Sequence, residues 1–452
     1  MRTLLPTLVM ALLAVAALVT AVPDAAAQNL FARPGELPKI DARTQAAIVD
    51  SVTTAIDTIY VIKETADRII AHLREQLAAG AYKELTDPVL LAQRLDADAR
   101  TIYNDHHFGI AALKPYDAAV EGAPGDPQDS ERAQRSLRAQ NFGFKKVEIL
   151  PGNIGYLEFD RFAPTEVAGE TAAAAMNFLA NTHALIIDLR QNGGGNASMI
   201  RLLAGYLFAE QQHLINWYVR DTDETVQSHS LDFVPGKRMA DIPVYVLTSD
   251  FTGSAAEEFT FDLKHLERAT IVGDTTGGGG HTVATSTMTF KGFRIGMRIP
   301  YGRAYDPKTG QGWEGVGVIP DVAVPSAQAL TVAHAAALAR LEDEVEDEQT
   351  RFELAWARQD LEGKLHPLEL TLDQLSECVG TFGPRRIFIE GGRLQYQREG
   401  RPQLALQPLG ADLFRVGDLD YFRLRFERDA SGKVVRLVGL YSDGREEAND
   451  RS

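Results

Sequence analysis

Pro243-Val244-Tyr245-Val246-Leu247-Thr248-Ser249-Asp250-Phe251-Thr252-Gly253-Ser254-Ala255-Ala256-Glu257-Glu258-Phe259 opens the stretch around which this chain is organised, and Gly277 to Gly280 and His281 close it. Val244 to Leu247 is a short apolar run rich in β-branched and aromatic residues, which reads as a buried strand. Turn-formers follow. From Ser254 onward Phe259, Leu263 and Leu266 recur at helical spacing. Ala269 to Val272 reads as the next parallel strand. A serine at this strand-to-helix turn sits beside unpaired N–H groups and a partial positive charge, where a nucleophile that builds an oxyanion is well served. Ser254-x-x-Glu257 is equally a capping box, and local sequence alone leaves both readings open.

A second strand–glycine–helix unit lies upstream. Ala184-Leu185-Ile186-Ile187-Asp188-Leu189 is a continuous apolar run of the kind covered on both faces, and Arg190-Gln191-Asn192-Gly193-Gly194-Gly195 follows it. With neither Gly-Lys-Ser/Thr nor G-x-G-x-x-G, the glycines argue against nucleotide binding and for backbone donors to an oxyanion. Two such units in succession, 184–207 and 243–272, predict βαβ crossovers and an α/β fold with a mostly parallel sheet.

Working outward, residues 1–27 carry Arg2, an apolar run from Leu4 to Val22 and Ala25-Ala26-Ala27, the pattern of a cleaved signal peptide, which predicts a periplasmic or secreted protein. Residues 28–112 read as an N-terminal helical domain and end in Asp105-His106-His107. Residues 113–146 are polar and read as a linker, and 147–325 form the core. An acidic helical connector spans 326–365, with Glu342 to Glu348 as a solvated face. A small antiparallel β domain, 366–452, brings no catalytic pairing and reads as a packing or dimerisation module.

Cys378 is the single cysteine, so no intramolecular disulfide is available, and its remoteness argues against thiol catalysis. The net charge of −16 without a basic cluster argues against nucleic acid as a partner. Outside the leader no window supplies the ~18 apolar residues of a membrane span. His106 and His107, as neighbours, diverge and lack metal-ligand spacing; no metal and no cofactor are expected. Homo-oligomerisation stays open.

Five ordered pieces resemble the serine peptidase family of tail-specific (C-terminal processing) proteases, the tricorn core protease and the repeats of interphotoreceptor retinoid-binding protein. They are Gly155-Tyr156-Leu157, Asp188 to Gly195, Thr252 to Phe259, Arg268 to Gly279, and Trp313-Glu314-Gly315-Val316-Gly317-Val318-x-Pro320-Asp321. The resemblance implies a crotonase- and Clp-protease-like core and a serine-type peptidase, a hydrolase acting on peptides or proteins, with Ser254 as nucleophile. The tail-specific branch places a lysine in the glycine turn. Thr276-Gly277-Gly278-Gly279-Gly280 has none, and Lys264 lies ten residues along the helix from Ser254, roughly 15 Å away. The tricorn-like pattern implies instead a histidine base at His107, with His106 as its neighbour, and Glu314 as the acid of a Ser-His-acid triad. His281, just past the glycines, competes for the base. Gly193, Gly194 and the Ala255 N–H are the implied oxyanion donors. Only 46 residues separate His107 from Ile154, which leaves no room for the PDZ module of that family. An α/β-hydrolase is disfavoured because G-x-S-x-G is absent. A non-catalytic protein holding a lipid, retinoid-like ligand or peptide on the same fold is the alternative function.

Overall fold

The computed structural model describes residues 30–452 apart from 106 and 117–126. The signal-peptide reading of 1–27, the neighbour role of His106 and part of the 113–146 segment therefore lie outside the described residues. No helix among those described is long and apolar enough to cross a membrane.

The chain opens with α1 (Ala42–Ile59), α2 (Lys63–Ala78) and α3 (Pro88–Ile102). Asp41 and Asp87 cap α1 and α3 through their side chains, and Pro88 occupies the first turn of α3. Their apolar stripes, Ile48, Val52, Ile56, Ile69, Leu73, Leu91 and Leu95, form one core. A short strand, β1 (Gly109–Leu113), follows. The polar segment after it is not all linker: α4 (Pro127–Ala139) lies within it, and β2 (Phe144–Leu150) begins before residue 147.

The core continues through β3 (Ile154–Phe159), α5 (Thr165–Leu179), β4 (Ala184–Asp188), α6 (Ala197–Leu207), β5 (His213–Val219), β6 (Glu224–His229) and β7 (Val244–Thr248). It closes with α7 (Ala255–His265), β8 (Thr270–Gly273), β9 (His281–Phe290), β10 (Phe293–Tyr305) and β11 (Val322–Ala323). One sheet has the order β11-β8-β7-β4-β3-β2, parallel except for β2. All five residues of β4 and of β7 are buried, because α5, α6 and α7 cover one face, and α8 (Ser326–Glu344) and α9 (Glu348–Leu365) cover the other. The mostly parallel α/β expectation holds. A second, antiparallel sheet runs β1-β10-β5-β6, with β9 along the other edge of β10. Its strands Phe293–Tyr305 and Gly109–Leu113 bind the N-terminal helices to the core.

The acidic run Glu342 to Glu348 is mostly exposed, as expected of a solvated face, and it contains a helix break: α8 ends at Glu344 and Asp347 caps α9. After α10 (Leu372–Glu377) come eight antiparallel strands in simple meander: β12 (Gly380–Phe382), β13 (Arg385–Glu390), β14 (Arg393–Arg398), β15 (Leu404–Pro408), β16 (Leu413–Val416), β17 (Phe422–Arg428), β18 (Val434–Tyr441) and β19 (Glu446–Asp450). A bridge between Phe382 and Arg451, with Ser452 N–H donating to the Thr381 carbonyl, brings the last strand back to the first and closes a barrel. Arg423 pins that barrel to α9. Its guanidinium lies 3.8 Å from the Trp356 ring centre and pairs with Asp360.

Candidate active site

The turn after β7 is knitted to the turn after β4. Thr252 Oγ1 donates to the Leu189 carbonyl at 2.9 Å, Ser249 Oγ to that of Arg190 at 2.6 Å, and Gly253 N–H to that of Asn192 at 3.1 Å. Ser254 then enters α7 with φ +52° and ψ −120°, a left-handed conformation that a side-chain-bearing residue rarely adopts. Gly194 lies directly against it. A Cβ on Gly194 would fall 2.6 Å from the Gly253 carbonyl oxygen, 2.7 Å from Ser254 Cβ and 2.8 Å from Ala255 N, and φ there is +100°. Only glycine fits. Of the implied oxyanion donors, Gly194 thus lies against both Ser254 and the Ala255 nitrogen. The Gly194 N–H, however, is donated to Asn192 Oδ1 at 2.9 Å, whereas no hydrogen bond among the described residues uses the N–H of Gly193 or Ala255.

Glu257 holds more than a cap. It is fully buried, and its Oε2 accepts from Ser254 N–H (2.9 Å) and Gly279 N–H (2.8 Å), while Oε1 accepts from Thr276 Oγ1 (2.6 Å) and Gly278 N–H (2.6 Å). One carboxylate therefore ties the start of α7 to the glycine loop. The far side of that loop is bound to the segment carrying Glu314: Gly315 N–H donates to the Gly278 carbonyl, and Trp313 Nε1 to that of Gly279.

His107, His281 and Glu314 meet on this loop. A Cβ on Gly279 would lie 2.4 Å from His107 Cε1, so the imidazole rests on the Gly279 backbone. His107 Nδ1 is 3.6 Å from Glu314 Oε2; that nitrogen and Glu314 Oε1 are both buried without a hydrogen-bond partner among the described residues. Glu314 Oε2 accepts the backbone N–H groups of Gly280 (2.6 Å) and His281 (2.9 Å). The His281 ring, 3% exposed, spends Nδ1 on Asp105 Oδ2 at 2.8 Å, whereas the His107 side chain is 20% exposed. Lys264 is turned to Asp321 and the Ile319 carbonyl. Sequence reasoning quoted Asp105 only as part of the Asp-x-His pattern and missed Tyr60, Asn192 and Thr276.

The ligating atoms of Asp105, His107 and Glu314 lie within 4.8 Å of one another, a spacing a divalent ion could accept. Yet Asp105 Oδ1 already accepts His107 N–H, and its Oδ2 accepts both Tyr60 and His281, so an ion would compete with three donors. The set suits an acid–base pair better than a metal.

Comparison with known proteins fits this geometry. Residues 153–324 match the family described as Peptidase family S41, and residues 37–151 match the N-terminal domain of Peptidase_S41 in eukaryotic IRBP, together more than half of the chain. The chain belongs to peptidase family S41. Among curated relatives, a protein of Staphylococcus epidermidis named Probable CtpA-like serine protease is 25% identical over 242 residues, 50% of this chain and 47% of that protein. This S41 chain thus spans about half the length of the curated relatives it matches. Similar solved structures include mature CPAF (13% identity, TM-score 0.46, covering 64% of this chain and 94% of that one). The photosystem II D1 C-terminal processing protease is another (14% identity, TM-score 0.40, covering 63% and 94%).

One feature of this S41 core lies beneath the serine on the same helix. Glu258 and Asp262, one turn apart on α7, are buried, and Glu258 Oε1 and both Asp262 carboxyl oxygens lack hydrogen-bond partners among the described residues. Burial pushes the Glu258 carboxyl up to about 8, opposed by a hydrogen bond from Trp217; burial and then the neighbouring Glu258 push Asp262 well above the carboxylate range. The folded chain therefore keeps two protons that the unfolded chain releases near ordinary carboxylate pKa values. The Glu258 contribution is full below those values and is lost as pH rises through about 8. The thermal midpoint is expected to fall between about pH 5 and pH 9, and Glu258→Gln to flatten that slope. A slope identical in wild type and Glu258→Gln would contradict the assignment.

Proposed function

We propose that the chain is an exported serine-type peptidase that hydrolyses peptide bonds of peptide or protein substrates through an acyl-enzyme on Ser254. The observation that carries the reading is the convergence of three chain segments on the strained Ser254. Gly194 packs on its Cβ, and Glu257 ties its N–H to the glycine loop on which His107 lies, with Glu314 beside the imidazole. Ser254 Oγ attacks the scissile carbonyl while His107 takes its proton. Glu314 orients the imidazole through Nδ1 and stabilises its charged form. The oxyanion accepts from the N–H groups of Ala255 and Gly193, and Gly194 supplies the space that brings them together. His107 then protonates the departing amine, and water hydrolyses the ester by the same steps reversed. The exposure of His107 and the engagement of His281 by Asp105 support His107 over His281 as the base. The leader pattern in residues 1–27 supports export.

A fluorophosphonate probe tests the reading. Wild type should label at Ser254, and His107→Ala should reduce labelling by about a hundredfold or more. Labelling that survives in His107→Ala but is lost in His281→Ala would transfer the base to His281. A folded wild type that never labels would favour a binding protein.

A further inference from the structure

The hydrogen bonds around Asp105 reach well beyond the proposed triad. Tyr60 Oη donates to Asp105 Oδ2 at 2.9 Å, His281 Nδ1 to the same oxygen at 2.8 Å, and His107 N–H to Oδ1 at 2.9 Å. Asp105 is 1% exposed and Tyr60 fully buried. Burial alone would raise the Asp105 carboxyl; His281, the His107 N–H and the Tyr60 hydroxyl outweigh it and hold the carboxyl below its usual range. A buried anion is thus maintained beside His107 by side-chain donors from two distant parts of the chain, Tyr60 and His281, and by the neighbouring His107 N–H.

Each donor is itself fixed. Tyr60 ends α1; its carbonyl accepts from Arg220, the next N–H bonds to the Pro300 carbonyl, and its ring meets Phe108 edge-on at 6.2 Å. Arg100 on α3 holds the turn that carries Asp105, donating to the Asp105 carbonyl at 2.9 Å and also to that of Phe108. His281 opens β9, and its own N–H is one of the two that fix Glu314 Oε2. His281 therefore meets both carboxylates flanking His107, Asp105 through its ring and Glu314 through its backbone N–H.

We propose that Tyr60 and His281 are positioning residues that act through Asp105. They hold its carboxylate where, through the His107 N–H, it fixes the position of that residue. This rests on the reading of His107 as the base. The N-terminal helical region then belongs to the catalytic apparatus, because α1 supplies one of the donors. The other charged and titratable groups facing this cluster are Glu314, from the segment after β10, and Tyr103, from the end of α3, whose hydroxyl is raised by burial and by Glu314 and Asp105.

The test uses full-length Tyr60→Phe, Asp105→Asn and His281→Gln, each read for kcat, KM and the pH profile of fluorophosphonate labelling. Tyr60→Phe is expected to lower kcat by about tenfold with KM unchanged, since misplacing a catalytic group is felt in the chemical step. Its acid limb should move to higher pH, because an under-solvated Asp105 carboxylate attracts the imidazolium proton more strongly. Asp105→Asn should move the limb to lower pH, because the anion is gone. Opposite shifts are a signature that loosened packing does not produce. His281→Gln should keep an acid limb at reduced rate. The proposal is overturned by a wild-type rate and profile in folded Tyr60→Phe, or by an acid limb that vanishes in His281→Gln. If Asp105→Asn does not fold, Tyr60→Phe decides alone. Full turnover in Ser254→Ala would instead remove the underlying reading, whatever these variants do.

Discussion

Ser254→Ala should abolish probe labelling and lower peptide turnover by about four orders of magnitude or more, while the protein stays folded. The hydroxyl is the only group at the α7 N-terminus that can form an ester, whereas the local hydrogen bonds use the Ser254 N–H and the Glu257 carboxylate, which alanine leaves in place. The stability cost is at most that of a lost cap, about 0.5–2 kcal/mol. Ser254→Gly separates the two roles sharply. At φ +52° and ψ −120° a side-chain-bearing residue stores backbone strain, of order 1–3 kcal/mol, that glycine releases. The glycine variant should therefore be inactive yet melt higher than Ser254→Ala. If it melts lower, the strain argument is wrong; if Ser254→Ala still cleaves peptides, Ser254 is not the nucleophile.

The parts legible in the sequence were those whose physics is local. Val244–Thr248 and Ala184–Asp188 are buried on both faces and so read as unbroken apolar runs, and the shift to helical spacing after Ser254 located α7. The glycines were legible as turns, though not as the contact of Gly194 with Ser254 Cβ. What stayed hidden is long-range or unpatterned. Pro127–Ala139 carries Leu137 as its one large apolar residue and thus lacks the stripe that identifies a helix. The hairpin of β5 and β6 was missed because Leu214 and Ile215 are buried in succession and Glu224–His229 is largely exposed, so neither strand alternates cleanly. The sequence left the base between His107 and His281 because the two histidines converge on one loop from 174 positions apart. Tyr60 carries no local signal at all: its meaning lies in a hydrogen bond to a residue 45 positions away.

Glu257→Gln should cost both activity and stability, and the reason is the number of donors that converge on one side chain. Two backbone N–H groups meet Oε2, and one N–H and one hydroxyl meet Oε1. A carboxylate accepts all four. A glutamine amide has one oxygen, so in either orientation its NH2 group faces two donors. Two of the four buried donors are then left unpaired, at about 1–3 kcal/mol each. The loop from Thr276 to Gly279 would move away from α7, and with it the backbone on which His107 rests and the segment that bears Glu314. A displacement of that kind is expected to lower kcat by about a hundredfold or more, with a thermal midpoint several degrees below wild type. Glu257→Asp discriminates between charge and reach: it keeps four acceptor lone pairs but shortens the arm, and should recover part of the stability with little of the rate. A Glu257→Gln protein with wild-type melting and wild-type labelling would mean that the glycine loop is held in place without Glu257, by its bonds to Thr252, Trp313, Glu314, Gly315 and Val318.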